Sequence, residues 1–136
     1  TRLRAEIAAL AGEQTWWDRR DRAELRLALA ELLGSGEEAI ALLRAAIADF
    51  EGGVSGSLRD FYDSQYLARA RTRLATWLLE VSPTPEEEIH QQILLAEAFY
   101  LGGSAPYVWR LEGLERLRTA LRPRREHAED APAISP

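Results

Sequence analysis

Apolar side chains return every third or fourth residue along nearly the whole of this chain, and no segment sustains the two-residue alternation of a half-buried strand. Glycine and proline cut that pattern into pieces of helical length. The pieces predict an all-α domain of five or six helices. The linkers between them are short, so helices adjacent in sequence are expected to pack as antiparallel hairpins.

The first predicted helix covers 2–11, with Leu3, Ile7 and Leu10 on one side, and Gly12 ends it. The second starts at Asp18 or Asp21, both good N-cap residues, and runs to Leu33. Leu25, Leu29 and Leu32 form its apolar stripe, and Gly34 supplies a left-handed stop. The third occupies 36–51; Glu37 and Glu38 favour its positive end, and Ala39, Leu43, Ala46, Ile47 and Phe50 face inward. "EGGVSGS" breaks it.

Ser57 is the expected cap of a fourth helix reaching Val81, with Leu67, Ala70, Leu74, Trp77, Leu78 and Val81 inward and Arg69, Arg71 and Arg73 outward. The fifth is expected over 85–101, closed by Gly102 and Gly103. Pro106 opens a sixth, in which Tyr107, Leu111, Leu114, Leu117 and Leu121 recur at helical steps. The helical domain is thus expected over 1–121. Residues 122–136, "RPRREHAEDAPAISP", are charged, proline-punctuated and poor in large apolar groups, which predicts a disordered tail.

Composition narrows the function classes. The 136 residues suffice for one core without staples, and the absence of cysteine removes disulfides, thiolate chemistry and cysteine-based zinc sites. All 17 basic residues are arginine, yet the net charge is -5, which argues against direct nucleic-acid contact. No apolar run approaches the roughly 20 residues of a membrane span, and a cytoplasmic location is expected. The chain opens at Thr1 with no methionine and no signal-peptide pattern, so the native start is expected to be missing or processed.

"SPTPEEEIHQQ", from Ser82, is the stretch closest to a chemical signature. Glu87 and His90 stand one turn apart, as in half of a ferritin-like di-metal site, but such sites need a second pair and two further glutamates. The other histidine, His127, falls in the predicted tail. Thr84 followed by Pro85 and Glu87 is instead a capping box, and Glu86, Glu87 and Glu88 lie where the helix dipole favours negative charge. No glycine-rich phosphate loop, Walker lysine or nucleophile elbow is present. The chain therefore reads as non-enzymatic, without metal or cofactor.

Interface anchors are typically aromatic, which makes Trp16, Trp17, Tyr62, Tyr66 and Trp109 the candidate contact residues. The expected partner is another protein or a second copy, the latter through the leucine stripe from Leu111 to Leu121. The alternative is an aromatic-lined pocket for a small ligand, with Arg110 or His90 orienting it.

Three segments carry a resemblance. "EEAIALLRAAIADFEGG", from Glu37, ends in an aromatic residue and a glycine; "YLARARTRLATWLLE", from Tyr66, follows with Arg71, Leu74 and Leu78. From Pro83 to Leu121 a last hairpin contains Glu87, His90, Leu94, Gly102 or Gly103, Leu114 and Leu121. Together they resemble the bacterial transcriptional activation domain, a tetratricopeptide-like helical module. The resemblance implies stacked helical hairpins and a regulatory role through protein contact, downstream of a winged-helix DNA-binding domain.

Overall fold

The computed structural model describes residues 2–9, 16–53, 61–102 and 108–130, with side chains at 2–9, 20–51, 64–102 and 108–122. Among the described residues there are six helices and no strand: α1 Arg2–Ala9, α2 Trp16–Leu33, α3 Glu37–Gly53, α4 Phe61–Leu78, α5 Glu86–Gly102 and α6 Val108–Asp130. The all-α architecture expected from the periodicity is what the chain adopts.

Consecutive helices pack against each other, and α2 touches α4 as α4 touches α6. Helices α3 and α5 make no direct backbone approach to one another. The even-numbered helices thus form one layer and α3 and α5 a second. Side-chain pairs show that neighbours run antiparallel: Phe50 of α3 stacks on Tyr66 of α4, while Ile40 and Trp77, at their other ends, line one groove. Arg71 of α4 reaches Gln92 of α5, and Arg118 of α6 reaches Glu97 of α5.

The core runs through all of α2 to α6. Leu27, Leu43, Leu74, Leu78, Ile89, Ile93 and Leu114 are its largest fully buried side chains. Burial of one such leucine contributes about 1.5–3 kcal/mol. Ala23, Ala30, Ala39 and Ala46 are also completely buried, which lets α2 and α3 approach closely along their length. This corrects the expected face of α2. Its contact stripe is Ala23, Leu27 and Ala30; Leu29 is buried outside the main cluster, Leu25 is half-buried and Leu32 is 76% exposed. A stripe read from leucines alone overlooks alanine, whose small side chain marks where two backbones come nearest.

Arginine forks tie the helices together above this core. Arg22 of α2 donates twice to Asp49 of α3, at 3.0 and 2.7 Å, and Arg26 bonds the same carboxylate. Arg69 and Arg73 of α4 converge on Glu31 of α2. Arg71, expected to lean outward, is buried between Gln92 at 3.1 Å and Glu51 at 3.4 Å. Its long stem packs in the core while the guanidinium finds polar partners on both flanking helices. Helix α1 buries no side chain completely; it rests on α2, and Arg4 pairs with Glu38 at the start of α3.

Three boundaries depart from expectation. Helix α2 begins at Trp16, ahead of the expected caps Asp18 and Asp21. Helix α4 ends at Leu78 rather than Val81, and the expected cap Ser57 lies outside the described residues. Helix α6 continues to Asp130, so 122–130 is helical where a disordered tail is expected; 131–136 lie outside the described residues. Pro123 removes one main-chain donor, but that loss need not end a helix already several turns long, and the arginine, glutamate and alanine around it suit one.

Replacing Asp49 with alanine removes the carboxylate that two partly buried guanidiniums share and should lower stability by about 2–3 kcal/mol in urea unfolding. Glu97 is held below its ordinary pKa of 4.5 by the hydrogen bond from Arg118; burial opposes the shift, and the Coulombic attraction of Arg118 adds a smaller contribution. Because the folded-state value is the lower one, this pair stabilises the fold above the ordinary pKa, and the contribution disappears as pH falls through the folded value. Arg118→Gln should therefore show a shallower loss of stability than the parent as pH falls below the ordinary value of 4.5.

Candidate interaction groove

Two turns meet at one end of the hairpin stack. Between α2 and α3, Gly34 and Gly36 adopt φ of 83° and 101°, a left-handed backbone that glycine accepts without strain. The Gly34 N–H donates to the Ala30 carbonyl at 3.0 Å, closing α2, and the Ile40 N–H donates to the Gly36 carbonyl at 3.0 Å, opening α3. The predicted left-handed stop at Gly34 is thus observed.

The turn between α4 and α5 is built differently. Glu80 and Val81 N–H groups donate to the carbonyls of Trp77 and Leu78, and the Ser82–Pro83 peptide is cis. The Thr84 hydroxyl donates back to the Val81 carbonyl at 2.9 Å. Among the described residues the expected capping box is therefore absent: the Thr84 hydroxyl bonds within the turn, to Val81, and does not cap α5. At the start of helix α5 the Glu86 N–H donates to the Thr84 carbonyl at 2.9 Å and the Ile89 N–H to the Pro85 carbonyl at 3.1 Å.

Between these turns lies a groove of about 710 Å³. Ile40 and Ala41 of α3, Trp77 of α4, and Val81, Pro83 and Pro85 of the second turn form its apolar lining. Exposed Glu37 and Glu80 also line it, as does Arg44. The Arg44 guanidinium donates to Glu88 of α5 at 3.0 and 2.6 Å, and that hydrogen-bonded pair raises its pKa against the opposing effect of burial. The fork braces α3 against α5 although their backbones do not touch. It also neutralises the one cation lining the groove among the described residues.

The aromatic candidates fall elsewhere. Trp16 and Trp17 lie in the first turn of α2 and Tyr62 in the first turn of α4, but their side chains are outside the described residues. Tyr66 is half-buried, packs on the core and stacks on Phe50 with centroids 6.1 Å apart, which gives it a structural task. Trp109 is 61% exposed, and the Arg110 guanidinium lies 3.9 Å from its ring centroid. With exposed Leu101 and Val108 they occupy the α5–α6 end of that hairpin, opposite the groove. Of the five aromatic candidates, only Tyr66 and Trp109 have described side chains, the first against Phe50 and the second exposed.

Glu87 is exposed and His90 half-buried on α5, while Glu88 is engaged by Arg44. Among the described residues no three histidine, cysteine, aspartate or glutamate side chains could together hold a metal ion, and no helix is long and apolar enough to cross a membrane. Sequence reasoning placed Trp77 on the inner face of α4 and missed the groove beside it. The one local signal was the pair of prolines in "VSPTP", whose rigid turn forms one wall. Comparisons with protein-family models, curated proteins and solved structures give no match to this chain.

Thr84→Ala removes the bond to Val81 and should cost about 1 kcal/mol by thermal or urea unfolding. A valine at this position should lose as much, since it keeps the branched shape and lacks the hydroxyl.

Proposed function

We propose that this chain is a non-enzymatic protein-interaction domain that receives a segment of another protein in the groove between its helical hairpins. The apolar groove left open between the two glycine- and proline-built turns is the observation that carries this reading. Its walls are rigid for physical reasons: both turns are internally hydrogen-bonded, α3 and α5 are braced by the Arg44–Glu88 fork, and Trp77 is anchored in the core. A preformed site of this kind loses little conformational freedom on binding.

The resemblance to a bacterial transcriptional activation domain gives the proposed contact a regulatory purpose, as the effector module of a transcription regulator. The groove volume of about 710 Å³ also favours a second reading, a small-molecule site, because it lies in the size range of ligand pockets. One substitution addresses both. Ala41 is exposed in the groove, so Ala41→Tyr should fill the space with an unchanged melting temperature.

Peptides selected from a random display library against the purified domain should bind it and weaken at least about tenfold on Ala41→Tyr, about 1.4 kcal/mol. If no selected peptide depends on the open groove, the interaction reading fails. A small-molecule screen whose hits alone are lost in Ala41→Tyr would transfer the site to the second reading.

A further inference from the structure

We infer that the segment received by this groove is cationic: an apolar side chain flanked by lysine or arginine. The inference rests on the interaction reading above and adds the chemistry of the occupant. Its starting point is Glu80. This residue lies just beyond the end of α4 at Leu78, where the helix dipole presents its negative end and disfavours a carboxylate. No cation among the described residues pairs with Glu80, although inter-helix ion pairs occupy Glu31, Asp49, Glu51, Glu88 and Glu97. A charge placed against the local field and left without a partner contributes nothing favourable to the fold.

Glu37 is the second carboxylate lining the groove, and it too has no cationic partner among the described residues. The dipole of α3 accounts for Glu37 by itself; it does not account for Glu80. The two carboxylates come from opposite sides of the groove, one from the start of α3 and one from the turn after α4, with Ile40, Trp77 and Val81 in the lining they share. Arg44 offers no competing positive site, because its fork is filled by Glu88. An apolar anchor therefore meets the lining while cationic neighbours meet Glu37 and Glu80. An acidic segment meets uncompensated repulsion at both. The net charge of -5 draws the same class of partner at longer range.

Four labelled synthetic peptides test this by fluorescence anisotropy: a central leucine flanked by arginines, by glutamines or by glutamates, and the arginine peptide with alanine replacing leucine. The arginine–leucine peptide should bind tightest, and its affinity should fall as salt rises toward about 0.15 M. Glu80→Gln should weaken it about threefold, and Glu37→Gln combined with Glu80→Gln about tenfold, with the melting temperature unchanged. Both residues are exposed, so the variants should fold normally.

Equal binding of the glutamine or glutamate peptide, or an unaltered affinity in the double variant, overturns the cationic occupant. If the arginine–alanine peptide binds as tightly as the leucine one, the apolar anchor falls. Failure of all four peptides overturns this inference alone when display-selected peptides still require the open groove. When those do not, the interaction reading falls with it.

Discussion

Close contact between α2 and α3 is the constraint on which the rest of the stack is built. Ala23, Ala30, Ala39 and Ala46 leave no side chain large enough to hold the two helices apart, and Leu27 and Leu43 fill the space beside them. A seam of small apolar residues sets distance well and register poorly, because alanine faces slide past one another with little change in contact. The Asp49 clamp supplies the missing register. Two guanidiniums meet one carboxylate in a geometry that a shift of one residue along either helix destroys.

The same division of labour recurs outward. Apolar burial joins α3 to α4 and α4 to α5, while forks at Glu31, Arg71 and Arg44 decide how the helices sit. An arginine-only complement of basic residues suits this, since the planar guanidinium grips a carboxylate at two points where an ammonium offers one charge. The groove is a consequence. Once α3 and α4 are set side by side, the glycine turn and the proline turn diverge around Ile40 and Trp77, and no side chain of the described residues fills the space between them.

The neighbourhood of Thr84 shows where local reading stops. Threonine, proline and glutamate in that order satisfy the pattern of a capping box, yet the hydroxyl turns back to the Val81 carbonyl. The pattern counts the donors of the following helix and not the carbonyls of the turn before it, which compete for the same hydroxyl. Arg71 and Leu32 fail for a related reason. Their exposure depends on what the neighbouring helices bring alongside, and no neighbour is visible within one helical turn.

Periodicity and punctuation were sufficient for the helices, for the left-handed glycine at position 34 and for the inner faces of α3, α4 and α6, because each depends on residues a few positions apart. The helix class and hairpin order follow from that local physics. Partner choice does not. Arg22 and Asp49 are separated by 27 positions, Arg44 and Glu88 by 44, and the walls of the groove come from two turns that only the packed core brings together. Tertiary structure alone decided which charges are paired, which are left open and where the apolar surface remains uncovered, since each is a relation between helices and not a property of any one of them.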